Sequence, residues 1–136
     1  MALKMKKLHQ TLKVKATPEQ VYETLMDSKL HTELTGSKAV VSSKIGGAFS
    51  AYDGYITGKN LELVKSEKIV QEWRGEEEGW PADHFSKITF VLKPINGGTQ
   101  IDFTQEALPE PAFENIKEGW EDYYWQPLKE KFEELT

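Results

Sequence analysis

With 136 residues, 38% of them hydrophobic and 29% charged, the chain can bury one sizeable core and is too regularly apolar to stay disordered. It has no cysteine, which excludes disulfides, thiolate metal sites and cysteine catalysis. The formal net charge of −5 argues against nucleic acid as a partner, and no stretch approaches the ~18 uncharged apolar residues of a membrane span.

The start of the chain, Met1 to Lys7, is basic but leads into no apolar run, so it does not read as a signal peptide and a cytoplasmic protein is expected. Lys6 to Lys15 alternates, with Leu8, Leu12 and Val14 on one side, as a half-buried strand does. Thr17-Pro18-Glu19-Gln20 is a helix start: Thr17 caps, Pro18 takes the first helical position and Gln20 closes a capping box. Val21, Leu25 and Met26 would face the core. A second short helix begins near Ser28, carries Leu30 and Leu34 four apart, and stops at Gly36.

Beyond Gly36 the period becomes two and turns arrive regularly. Gly46-Gly47 precedes a strand, Asp53-Gly54 reads as a two-residue hairpin turn between Phe49–Tyr52 and Tyr55–Thr57, and Gly58 with Asn60 reads as a further bend. Leu61–Val64, Ile69–Arg74, His84–Lys93 and Thr99–Ala107 follow as strands, with an acidic loop between Gly75 and Asp83 and a turn at Asn96-Gly97-Gly98. The last segment is helical. Ile116, Trp120, Tyr124, Leu128 and Phe132 recur every four residues, flanked by Tyr123 and Leu135, and Pro127 should bend this helix near Tyr123. The expected fold class is α+β: an antiparallel sheet curled around a C-terminal helix, with two short helices after the first strand.

Chemistry is harder to place. His84 and Ser86 stand two apart beside Asp83, but a hydrolytic triad needs its acid behind the imidazole, and there is no Gly-x-Ser-x-Gly elbow. His31 and Glu33 point to different sides of their helix and His9 lies on a polar strand face, so no metal site is expected. Gly46-Gly47 opens a strand rather than a helix, which argues against phosphate. Glu76-Glu77-Glu78 reads as a solvated loop or as a docking patch for a basic surface. Ile69, Gln71 and Trp73 share a face, as do Ser86, Ile88, Phe90 and Leu92, and Ile101, Phe103 and Gln105. All should line the concave side opposite Trp120 and Tyr124. A buried glutamine needs partners, so Gln71 and Gln105 point either to a satisfied core network, with bonds to Tyr124 or Ser86, or to a wet cavity.

The ordered set Gly46-Gly47-x-Phe49, Asp53-Gly54, Gly58, Leu63-Val64, Ile69-Val70-x-x-Trp73-Arg74, Trp80-Pro81-x-x-His84-Phe85 and Gly119-Trp120-x-x-Tyr123-Tyr124 resembles the C-terminal domain of the activators of the heat-shock protein 90 ATPase, within the START-like, Bet v 1-like (SRPBCC) group. The resemblance runs from about Leu8 to Leu135. It implies a helix-grip fold over residues 1–136 as one domain, and a binding function without catalytic residues or cofactor. The eukaryotic activators carry a further N-terminal domain that holds the chaperone, and this chain, starting just before its first strand, is expected to lack it.

Two functions follow as expectations. In the first, the protein presents a surface to a partner, a chaperone ATPase. In the second, it holds a small apolar ligand between sheet and helix, contacted by Gln71, Trp73, Ser86, Ile88, Phe103, Gln105, Trp120 and Tyr124. A third class, an enzyme of polyketide-cyclase type on the same fold, would need an ionisable group inside the cavity, and the sequence places none there. Gly119, one residue before Trp120, is expected to avoid a collision with the sheet. Trp80-Pro81 should pin its loop over the sheet edge, and Arg74 should face outward and pair with a carboxylate near Glu72.

Overall fold

A computed structural model describes residues 4–135; Met1 to Leu3, part of the basic start, and Thr136 lie outside it. Strand β1 (Met5–Val14) is followed by helices α1 (Pro18–Met26) and α2 (Ser28–Thr35). Six more strands follow: β2 (Val40–Val41), β3 (Ala48–Ala51), β4 (Ile56–Val64), β5 (Lys68–Gly75), β6 (Ser86–Ile95) and β7 (Gly98–Pro109). The chain ends in α3 (Phe113–Trp120), a π-helical turn (Glu121–Trp125) and α4 (Gln126–Phe132), which continue one another with helical backbone angles at both joints. The strands form one antiparallel sheet in the order β1-β7-β6-β5-β4-β3-β2. This is the helix-grip arrangement.

The helix starts follow from local chemistry. The Thr17 hydroxyl accepts the Gln20 amide at 3.1 Å, and the Thr17 amide donates to the Gln20 side-chain oxygen at 2.9 Å, completing the capping box. Asp27 caps α2 by accepting the Leu30 amide at 2.9 Å, and Gly36 closes that helix in the left-handed conformation.

Two turn readings and one helix-glycine reading change. The loop after β3 spans four residues, because Ala51 pairs with Ile56; Tyr52 and Asp53 join Gly54 at positive φ. Gly58 and Asn60 mark no bend. They sit inside β4, where a bulge after Asn60 leaves Leu61 unpaired. Gly58 is needed for close approach, since a Cβ there would lie 1.8 Å from the Glu72 carbonyl oxygen. Gly119 presses on nothing: the nearest atom to a Cβ there is on Tyr123, 4.0 Å away.

The core lies between the concave sheet face and the C-terminal helix, with Ile69, Ile88, Phe90, Ile101 and Phe103 from the strands against Ile116, Trp120, Tyr124 and Leu128. Pro127 has no amide to give Tyr123, its partner in a regular helix. The chain answers with the π turn, in which the Gln126 amide bonds the Glu121 carbonyl five residues back. The extra residue turns Trp125 inward, where it is almost fully buried and donates to the Gln10 side chain of β1 at 2.8 Å. After Phe132 the chain turns back along β1, Lys15 and Leu135 donating to Glu133 and Lys13 carbonyls.

Candidate functional site

The polar residues of the concave face form three closed chains. Trp120 Nε1 donates to Gln105 Oε1 (2.9 Å), Gln105 Nε2 donates to Ser86 Oγ (2.8 Å), and the Ser86 hydroxyl ends the chain on the Trp73 carbonyl (3.0 Å). Gln71 donates to Asn60 Oδ1 (2.9 Å), and the Asn60 amide group donates to the carbonyls of Ser42 and Lys44. Among the described residues no buried side-chain nitrogen or oxygen lacks a partner. A satisfied network is therefore what surrounds Gln71 and Gln105, and the void beside Gln71 and Ile88 is about 10 Å³, room for roughly one water.

The third chain holds a residue that sequence reading weighed only as a metal ligand, on a side of α2 away from Glu33. His31 is buried; its Nδ1 lies 2.9 Å from the Leu25 carbonyl, which can only accept, so Nδ1 carries the proton. Nε2 is then the acceptor for the Tyr124 hydroxyl at 2.7 Å. An ionisable group does stand between α2 and the C-terminal helix, contrary to expectation, but both its nitrogens are engaged. Burial pushes the His31 pKa below its usual range, against the opposing effect of the Leu25 carbonyl, and pushes the Tyr124 phenol up.

The sign of the pH effect follows. The unfolded chain binds a proton at His31 more readily than the folded one, so this contribution to stability is complete above about pH 6.5 and is lost as pH falls through the lower folded-state value. The urea midpoint should therefore drop between pH 7.5 and pH 5, and His31→Gln should flatten that slope. Equal slopes in parent and variant would refute the assignment.

Open space lies further along the helix. A cleft of about 430 Å³ separates the loop after β3 from α3. Tyr52, Tyr55, Ile56 and Glu77 form one side; Asn115, Ile116, Gly119 and Tyr123 form the helical side; Trp73, Trp120 and Tyr124 complete the lining. Of the eight residues expected to contact a ligand, Trp73, Trp120 and Tyr124 border this cleft. Gln71, Ser86, Ile88, Phe103 and Gln105 are packed in the core and do not. Sequence reading missed the rest of the lining, although Asn115, Gly119 and Tyr123 fall four apart along one helix face, a spacing that could have revealed them.

The acidic loop is part of the cleft. The Tyr55 hydroxyl donates to Glu77 at 2.8 Å, and the Glu76 amide donates to the Tyr55 carbonyl. Arg74 does pair with a carboxylate, that of Glu76, but from a half-buried position rather than an outward-facing one. Its guanidinium clasps the Pro81 and His84 carbonyls and lies 3.6 Å from Glu76, holding the loop. Trp80 is buried against Trp73 and donates to the His84 carbonyl at 2.7 Å. His84 is itself spent on the Ala107 carbonyl at 2.6 Å, where β7 bulges at positive φ, so it forms no dyad with Ser86. Tyr52 and Tyr55 are both pushed up to about 12, Tyr52 by burial and then the Tyr123 phenol, Tyr55 by burial and then Glu77. Among the described residues no three His, Asp or Glu side chains gather to hold a metal ion, and no helix is long and apolar enough to cross a membrane.

Comparison with known proteins places this geometry. Residues 15–133 match the family model described as Activator of Hsp90 ATPase homolog 1-like protein. The chain is 31% identical over 116 residues to the human activator of 90 kDa heat shock protein ATPase homolog 1, which covers 85% of this chain and 34% of that protein. It is 30% identical over 128 residues to the Dictyostelium discoideum activator homologue, covering 90% and 33%. The chain thus spans about a third of the length of the curated relatives it matches. Among solved structures, an HSP90 activator from Plasmodium falciparum superposes with a TM-score of 0.87 at 25% identity, covering 95% of this chain and 97% of that one. The Aha1 dimer of Colwellia psychrerythraea shares the fold, with a TM-score of 0.76 at 16% identity, covering 91% and 94%.

Proposed function

The chain belongs to the Activator of Hsp90 ATPase homolog 1-like family, and on that premise we propose that it is a non-enzymatic binding module that acts on a chaperone ATPase of the 90 kDa heat-shock class. The observation that carries this reading is the Plasmodium activator, a chain of the same extent with the same fold. The side chains that could do chemistry support it as well: His31, His84 and Ser86 are each committed to internal bonds. The surface we assign to the partner is the cleft rim, where the rings of Tyr55 and Tyr123 stand 40% and 50% exposed.

The test is the ATPase rate of the chaperone from the same cell, with and without this protein, together with a pull-down. Binding at micromolar concentration with a raised rate is the expected result. Unchanged turnover and no capture at high micromolar concentration would refute it.

A second reading has its own observation. A cleft of about 430 Å³ with aromatic walls and a few polar groups falls within the range of small-molecule sites, and supports a carrier or sensor of a small, largely apolar ligand. Native mass spectrometry after gentle purification should then show a co-purifying mass, displaced when Gly119→Trp fills the cleft.

A further inference from the structure

The cleft contains one charged side chain, the carboxylate of Glu77. Its neighbour Glu76 lies against Arg74, but among the described residues no lysine, arginine or histidine pairs with Glu77. The Tyr55 hydroxyl satisfies one of its oxygens and leaves several lone pairs open. Around it stand the rings of Tyr52, Tyr55, Trp73, Trp120 and Tyr123, with Tyr52 and Tyr123 set edge to face at 5.0 Å. Aromatic faces carry negative quadrupole density and attract a cation that has shed part of its water. An uncompensated carboxylate in the same space attracts it further.

We propose that this cleft binds a small organic ammonium ion with an apolar body, its charge beside Glu77 and its hydrocarbon against Tyr52, Tyr123 and Trp120; the proposal rests on the reading of the cleft as a ligand site. An anion finds no positive group in the lining and would stand against the unpaired Glu77 carboxylate. A neutral apolar body would cover the rings but strip water from a carboxylate and give nothing in return. The loop that presents Glu77 is held by Arg74 and Trp80, so the carboxylate is positioned before any ligand arrives.

Three probes sharing one benzyl body separate these cases: benzyltrimethylammonium, benzyl alcohol and phenylacetate. Each is titrated into the full chain while the indole N–H signals of its tryptophans are followed by NMR. Trp73 and Trp120 report the cleft, and Trp125, packed on β1, is the internal control. The ammonium probe should shift Trp73 and Trp120 saturably, with a Kd about tenfold tighter than either other probe, the scale of a cation–aromatic contact in a partly dry site. Glu77→Gln should abolish most of that preference, and Tyr123→Ala, at a half-exposed position, should weaken the ammonium probe without unfolding the chain. Equal binding of all three probes, tighter binding of phenylacetate, or a preference untouched by Glu77→Gln would overturn the charge assignment while leaving a ligand cleft in place. Failure of all three to shift Trp73 or Trp120 at high millimolar concentration would overturn the ligand cleft as well.

Discussion

Replacing Trp120 by alanine should lower the melting temperature by about 10–20 °C, corresponding to a loss of about 3–5 kcal/mol. Trp120 is buried at the centre of an aromatic cluster, with ring centroids 4.4 Å from Phe103, 4.6 Å from Tyr124, 5.5 Å from Trp125 and 5.8 Å from Trp73. Alanine removes those contacts and leaves a cavity that rings from three elements cannot collapse to fill. It also deprives Gln105 Oε1 of its donor, stranding a buried carbonyl at the head of the chain that runs through Ser86 to Trp73. Trp120→Phe separates the two effects: it keeps much of the apolar volume and loses the donor, at a cost of about 1–3 kcal/mol. Thermal unfolding followed by circular dichroism checks both. A drop of less than about 5 °C for the alanine variant would show that the cluster is not what holds the helix to the sheet.

Gly58→Ala should be worse, with most of the protein failing to accumulate in folded form and any remainder weakened by more than about 4 kcal/mol. Gly58 pairs with Trp73 across β4 and β5, and a methyl group there would meet the Glu72 carbonyl oxygen at 1.8 Å and the Phe49 ring at 2.7 Å. The obstacle is main chain in the middle of the sheet, so relief requires the two strands to part. Gly119→Ala is the paired control. Its methyl group would meet nothing nearer than 4.0 Å, and alanine suits a helix better than glycine by about 0.5–1 kcal/mol, so stability should rise slightly. Urea unfolding of the two variants settles the contrast, and a normal midpoint for Gly58→Ala would contradict the packing described.

These two glycines show what sequence can and cannot reveal. Both stood out, but their roles came out wrong: Gly58 looked like a break between strands because a close approach and a bulge leave the same local signature as a turn. The helix-grip architecture itself was legible, because alternation and a four-residue aromatic stripe are set by which faces must leave water, and that pressure is felt all along each element. Thr17, Pro18 and Gln20 likewise specify α1 through contacts within four residues. The cleft was not legible in the same way. Its walls come from the loop after β3, the loop after β5 and α3, and no local pattern ties Tyr52, Glu77 and Asn115 together. His31 was hidden for a related reason: a polar residue on a short amphipathic helix reads as solvent-facing until Tyr124, far along the chain, is seen to meet it. Trp125 fell outside the stripe because counting in fours assumes that the helix keeps its pitch through Glu121–Trp125, ahead of Pro127.

That change of pitch divides labour along a single rod. A residue inserted without a break in the helix advances everything after it by about 100° relative to what came before. Upstream of Glu121 the phase turns Asn115 and Gly119 to the cleft; from Trp125 onward it turns Trp125 and Leu128 to the core beside β1. Substitutions at Asn115, Gly119 or Tyr123, which line the cleft, therefore need not disturb the seal that Trp125 and Leu128 make. The lining of the cleft at one end can thus change while the closure at the other stays fixed.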